Sequence, residues 1–321
     1  MGAYDKINEL RKVMGTLPEQ DPETSYKIVQ GVKGIEVELI DYNVNPYKAM
    51  YVLATSCWGS KINKWEETLP EHRFLVIKAV LEGKALPLAL ECANFTFAVE
   101  GPSRAAFDQI ARTRVGAVFS AKGMRDNNWK GCAIRIPNAI WDGDDEIFSK
   151  VLSLASEIKN TYADIVDIGK GSWQAARSVL PLYVVYGYSA TYNYASLRGV
   201  CANRMKFCEM EDTVAIAWLM AKRVSEVFPL LGSFLKPGCD KAGKCQYHSE
   251  YMLSEAFGCL FKECGRNECQ SSDEYAEFNE SCSDSSVIGQ QLRIEIPGPK
   301  DWPTFESYED LSEKDRVLFE K

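Results

Sequence analysis

The sequence predicts an α+β fold, and three observations point there. Strand-like and helical stretches are mixed without the regular alternation that builds a doubly wound parallel sheet. Neither common kind of glycine-rich phosphate loop is present. Hydrophobic residues make up 46% of the 321 residues, enough for one large core or two small ones, so wholesale disorder is excluded.

In chain order, residues 5–14 read as a short helix and 15–33 as a polar loop. Residues 34–42 set apolar Ile35, Val37 and Leu39 against acidic neighbours, the pattern of a half-buried strand. Asn45 and Pro46 start a helix that runs through Ala54. Residues 70–83 give another, ended by Gly83. Residues 94–99 are strand-like. Gly101 and Pro102 then turn the chain, with the proline suited to the first position of a short helix. That helix carries Arg104, Asp108, Gln109 and Arg112, with Arg114 at its exit. Its spacing admits two readings, a solvated face with two intrahelical ion pairs or a mount of forked donors for phosphate.

Residues 126–143 read as a loop around a candidate strand at 132–136. Residues 144–162 form the clearest helix. Ile147, Val151, Leu152, Leu154, Ala155 and Ile158 make one stripe, and Asp144, Asp145 and Glu146 lie at the N-terminal end, as the helix dipole prefers. A helix covers about 172–178 and a tyrosine-rich strand 182–191. Helices follow at 193–206 and 212–227, the second ended by Pro229. The sequence thus divides into an N-terminal extension (1–33), a central domain (34–237) and a cysteine-bearing acidic extension (238–321). The last holds a strand-like QLRIEIP and an acidic amphipathic end.

The net charge of −8 disfavours nucleic acid as the main partner, while leaving room for a local cationic pocket. No apolar run reaches membrane-spanning length, and MGAYDKINELRKVMG lacks the apolar core of a signal peptide, so a cytoplasmic protein is expected. Of 11 cysteines, six follow residue 238, and an odd count in a reducing compartment argues against a disulfide framework. Cys239, Cys245, His248, Cys259, Cys264 and Cys269 lack tight metal-ligand spacing, so the expectation is packed thiols and no metal. With only His72 and His248 present, a Ser-His-Asp triad has little to be built from.

Three segments in order resemble the flavin-dependent thymidylate synthases. VELIDYNVNPYKAMYVLATSCW is similar to the family's opening strand and helix. LECANFTFAVEGPSRAAFDQIARTR resembles its run of Glu-His, Phe-Thr-Phe, Ser-Arg, Gln and Arg-His-Arg. AARSVLPLYVVYGYSATYNYASLRGVCANR resembles its Ala-Arg, Leu-Pro, Asn and final Arg. The resemblance implies a mostly antiparallel sheet with flanking helices. It also implies a homotetramer with FAD, methylenetetrahydrofolate and NADPH as cofactor and co-substrates, and one-carbon transfer to a pyrimidine nucleotide, by default dUMP. Matched residue by residue, it implies Glu91, Arg112, Thr113, Arg114 and Asn193 at the flavin. It implies Gln109, Arg112, Lys122, Gly123, Arg125, Arg177 and Arg204 at the nucleotide, with Arg204 polarising the pyrimidine ring. Two departures stand out. Thr113 replaces the middle histidine of Arg-His-Arg, and Cys92 replaces the histidine after Glu91.

On the residues alone, Glu91 in its apolar neighbourhood reads equally as a buried carboxylate paired to an arginine. Lys122 reads equally as a solvated loop lysine. Cys201 and Cys208 read as packed thiols, and the tyrosines between 183 and 194 as strand and core packing.

Overall fold

The computed structural model describes residues 28–125, 127–168, 173–205, 210–238 and 303–321. A four-stranded antiparallel sheet in the order β2-β3-β6-β4 forms its centre: β2 (Glu36–Tyr42), β3 (Asn94–Ser103), β4 (Ala117–Ala121) and β6 (Val185–Asn193). The alternation of side chains along a strand fixes its faces. Phe95, Phe97 and Val99 of β3 and Tyr188, Ala190 and Tyr192 of β6 point into the main core. On the opposite face the hydroxyls of Thr96 and Thr191 meet across the strands at 2.9 Å.

Helices α1 (Pro46–Thr55), α2 (Pro70–Leu81), α7 (Tyr194–Arg204), α8 (Glu211–Val227) and α9 (Pro229–Gly232) pack on the inner face. Asn45 caps α1, its side chain accepting from Lys48 N at 3.1 Å, with Pro46 at the first turn. A second hydrophobic cluster lies under the long helix α5 (Asp145–Ile168). It includes Trp129, Ile134, Ile136, Tyr162, Val184 and Tyr186, and Phe107 and Ala121 touch both clusters.

The chain's C-terminal helix α10 (Glu313–Glu320) docks onto α1, α2 and α9. Phe319 is fully buried there, stacked on Tyr47 (4.7 Å) and flanked by Trp65, Phe74 and Tyr308. Asp315, also buried, accepts from Tyr47 Oη (2.5 Å) and Leu230 N (2.9 Å), while Arg73 donates to the Phe319 carbonyl. The acidic amphipathic end is therefore part of the core.

Several expectations need correction. The polar loop at 15–33 contains β1 (Ile28–Gln30), which pairs in parallel with β5 (Ile134–Ile136) in a separate two-stranded sheet. Pro102 is not the first helical residue. β3 continues through a register shift to Ser103, whose side chain caps α3 (Arg104–Ile110) by accepting from Ala106 N at 3.1 Å. Gly101, at φ +92°, absorbs the bend, and a Cβ there would meet the Gly34 carbonyl at 2.2 Å. β4 and a short helix α4 (Asn138–Trp141) went unread in the sequence, α5 runs on to Ile168, and the tyrosine-rich strand begins at Val185. The helix read at 172–178 is α6 (Trp173–Ala176) followed by a 3-10 turn. Pro229 opens α9 rather than merely closing α8. The helix at 5–14, Cys208, the cysteines and histidine after residue 238 and QLRIEIP lie outside the described residues.

Candidate nucleotide and flavin site

The structure gathers some of the expected site residues at one end of β4 and places others elsewhere. Helix α3 stops at Ile110, so Arg112, Thr113 and Arg114 lie in the turn after it. Consequently the expected Asp108–Arg112 pair does not form, while Arg104–Asp108 does, at 2.8 Å. The turn closes on Asn193, whose backbone N donates to Gly116 O at 2.8 Å. Asn193 Oδ1 accepts from Ser196 N at 2.8 Å and so caps α7. A Cβ on Gly116 would meet Asn193 Nδ2 at 2.3 Å, and its φ of +68° is left-handed, so only glycine suits this approach. Ser196 Oγ also ties the turn down, through the Val115 carbonyl.

Arg204 ends α7, half-buried, and its Nη2 donates to the Gln109 carbonyl at 3.4 Å. Gln109 Nε2 faces Met210 Sδ at 3.7 Å, while its Oε1 is buried with no partner among the described residues. Arg112 and Arg114 are exposed, and their side chains make no ion pair or hydrogen bond to another described residue. Two exposed forked cations, close in sequence to an amide oxygen without a partner among the described residues, offer donors and an acceptor suited to phosphate and a planar heterocycle.

Lys122, Gly123 and Arg125 lie past the other end of β4. Gly116 and Lys122 are six positions apart along β4, about 20 Å at ~3.4 Å per residue. Lys122 N donates to Gly187 O (3.1 Å), its Nζ sits 4.7 Å over the Trp129 ring, and Asn127 Nδ2 donates to Gly123 O (2.7 Å). Arg177 stands on the exposed 3-10 turn Arg177–Val179, with no ion pair or side-chain hydrogen bond to a described residue.

Glu91 corrects an expectation. It is exposed on the 3-10 turn Pro87–Cys92, neither buried nor paired to an arginine. Its neighbour Cys92 donates Sγ–H to Ala89 O at 3.0 Å, and burial pushes the thiol up to about 11. At neutral pH Cys92 is therefore a thiol and offers no base in place of a histidine. Cys201 is fully buried, and burial pushes it up to about 12, as packing predicts. The tyrosines at 186, 188, 192 and 194 are buried and Tyr183 is partly so. Among the described residues no group of three or more His, Cys, Asp or Glu could hold a metal ion. Nor is any helix among them long and apolar enough to cross a membrane.

The family model for the thymidylate synthase complementing proteins matches residues 38–230, more than half of the chain. The chain belongs to this family. Flavin-dependent thymidylate synthases from Nitratidesulfovibrio vulgaris and Pyrococcus furiosus are 26% and 25% identical over 224 and 228 residues, covering 65% and 66% of this chain and 90% and 89% of theirs. The one from Sulfurisphaera tokodaii is 28% identical over 213 residues, 64% of this chain and 79% of its own. A solved UMP/dUMP methylase from Streptomyces cacaoi, bound with 5-Br dUMP, shares the fold. Its TM-score is 0.53 at 16% identity, covering 65% of this chain and 96% of that one. The expected α+β family fold is thus met. The family match ends before α10, so the C-terminal clamp on α1 and α2 lies outside it.

Proposed function

We propose that the chain is an FAD-dependent methylase of pyrimidine nucleoside monophosphates, with dUMP as default substrate and methylenetetrahydrofolate as one-carbon donor. NADPH is the reductant, and the working form is a cytoplasmic homotetramer whose active sites lie between protomers. The observation that carries this reading is the meeting of Arg204 with Gln109, close in sequence to Arg112 and Arg114, whose side chains have no partner among the described residues.

In this reading Arg112 and Arg114 hold anionic phosphate, with Thr113 between them and Asn193 fixing the turn that presents them. The unsatisfied Gln109 Oε1 accepts from a ring N–H of the pyrimidine. Arg204 lies where its guanidinium polarises a ring carbonyl, stabilising the charge that develops when the ring acts as a carbon nucleophile. Flavin, when bound, supplies the redox chemistry of the transfer. Lys122, Gly123 and Arg125, past the other end of β4, and Arg177 complete the site from a neighbouring protomer, as does Glu91. The proposed boundaries are an N-terminal extension to residue 33, the catalytic domain over 34–237 and a C-terminal extension from 238.

A second reading, a non-catalytic homologue that binds nucleotide or flavin, is favoured by one observation: Cys92 is a protonated, internally bonded thiol where relatives of the resembling pattern carry histidine. One experiment separates the two. Purified protein is incubated with FAD, reduced anaerobically with NADPH, and supplied with dUMP or UMP and methylenetetrahydrofolate. Mass spectrometry then reads the nucleotide. A one-carbon gain is expected, and a protein that takes up FAD but leaves every nucleotide unchanged overturns the enzymatic reading.

A further inference from the structure

Among the described residues, Arg104 is the one arginine of the α3 segment whose guanidinium is engaged within the protein. Its Nε and Nη2 face Asp108 Oδ1 at 3.0 and 2.8 Å. Its Nη1 donates to Tyr186 Oη at 3.1 Å and faces Met124 Sδ at 3.7 Å. The guanidinium lies 5.2 Å from the Phe107 ring centroid and 5.0 Å from that of Tyr186. Tyr186 passes the connection on, its Oη donating to the Lys122 carbonyl at 2.6 Å. The Tyr186 ring stacks on Trp129 at 5.8 Å and 15°, and Trp129 carries the Lys122 ammonium on its ring. Trp129 is itself tied to α5, its backbone N donating to Tyr162 Oη at 3.1 Å.

Lys122 is therefore held at its carbonyl by Tyr186, at its N–H by Gly187 and at its ammonium by Trp129. Two of these three holds pass through the Tyr186 side chain. Arg104 sets the Tyr186 hydroxyl: by donating to its oxygen, the guanidinium directs the hydroxyl proton toward Lys122 O. Arg104 is anchored on the same short helix as Gln109, so the relay Arg104–Tyr186–Lys122 ties α3 to the loop at the far end of β4.

We propose that Arg104 and Tyr186 are positioning residues that fix the geometry of the 122–125 loop and so set nucleotide affinity without touching the nucleotide. The proposal rests on the reading above that this loop binds the substrate. A loop that is pre-ordered loses less conformational freedom on binding, so loosening it weakens the ground state and the transition state alike. The expected signature is a raised KM at unchanged kcat.

The test uses the full chain with Tyr186→Phe, which removes both hydrogen bonds and keeps the stacked ring, and Arg104→Met as the second variant. Two readouts are taken. Amide hydrogen exchange of the nucleotide-free protein is expected to speed up about tenfold at Lys122 and Trp129, with the β3 amides unchanged, as loss of about 1.4 kcal/mol of local stability requires. KM for the nucleotide is expected to rise about three- to tenfold, with kcat and flavin content unchanged, for loss of about 0.7–1.4 kcal/mol of uniform binding. Unchanged exchange at Lys122 and Trp129 in both variants overturns the positioning role, as does faster exchange with KM within twofold of wild type. Wild-type protein that binds no pyrimidine nucleotide overturns the functional reading instead, and with it the claim on affinity. The exchange readout then still decides whether the relay orders the loop.

Discussion

Two groups of charged residues lie at opposite extremes of burial in this molecule. Arg135, Glu211 and Asp212 sit inside it, where β5, the β3–α3 junction and the start of α8 meet. Arg112, Arg114 and Arg177 lie outside, with side chains that touch nothing charged among the described residues. In the inner group each charge is answered. Arg135 donates to the carbonyls of Gly31, Lys33 and Gly101. Asp212 accepts from Ser103 N (3.0 Å), Ser103 Oγ (2.5 Å) and Thr213 N (3.0 Å). Glu211 Oε1 accepts from Asn138 N at 3.1 Å. The inner group locks elements together, whereas the outer group leaves forked donors facing solvent. Satisfaction of the partners, rather than the residue type, separates a structural arginine from one left open to a ligand.

The largest expected effect of breaking this contrast follows from removing the inner cation. Arg135→Met keeps the bulk but leaves three carbonyls without their donor and two nearby carboxylates without their counter-charge. A stability loss of about 3–5 kcal/mol is expected, read by denaturant titration. A loss under about 1 kcal/mol would mean that solvent already reaches this cluster. Asp212→Ala is expected to cost less, about 2–3 kcal/mol, because it orphans the buried Ser103 N–H and weakens one helix cap.

Glu211 sharpens the contrast through pH. Burial, with Asp212 close by, pushes its carboxyl up from 4.5 to about 7. The folded protein therefore holds this proton more tightly than the unfolded chain does. Stability falls as pH rises from about 4.5 through about 7, because the charged form is the disfavoured one inside. Asp212 beside it is likewise raised by burial, and Arg135 opposes both shifts. Glu211→Gln keeps an acceptor for Asn138 N and removes the buried charge. The variant is expected to melt higher than wild type at pH 8 and to match it near pH 5. Equal melting temperatures at pH 8 would show that Glu211 is already neutralised there.

Much of the fold could be read from the chain because local signals and packing agree there. Asn45 with Pro46 marks the start of α1, and the apolar stripe of α5 is visible in its periodicity. What escaped depends on residues far apart in sequence. β4 is five residues long and its side chains are all at least partly exposed, so only its pairing with β6 defines it. α3 is capped by Ser103 rather than opened by Pro102 because Asp212, 109 residues onward, holds Ser103 N and Oγ in place. At the site, residue spacing underlies the resemblance that sets Gln109 and Arg204 at one nucleotide, and in the structure Arg204 Nη2 lies 3.4 Å from the Gln109 carbonyl. The same spacing cannot show that Arg104 is engaged by Tyr186 while Arg112, on the expected same face, lies beyond the helix end. A tyrosine within a core-like run carried no signal for that role.

The smallest expected effect on stability, and the converse test, belongs to Arg114. Its side chain is exposed and has no partner among the described residues, so Arg114→Ala removes no protein contact. A stability change within about 0.5 kcal/mol is expected. In the proposed site the same change removes one forked donor from bound phosphate, and charge-assisted bonds of this kind contribute about 1.5–3 kcal/mol. FAD or nucleotide affinity is therefore expected to fall by tenfold or more, where 1.4 kcal/mol corresponds to tenfold, while the denaturation midpoint stays in place. Arg114→Lys should restore only part of that affinity, because a point charge cannot make the paired bonds of a planar fork. If affinity is unchanged and stability falls instead, Arg114 belongs with the inner group, and its partner would lie in another protomer or outside the described residues.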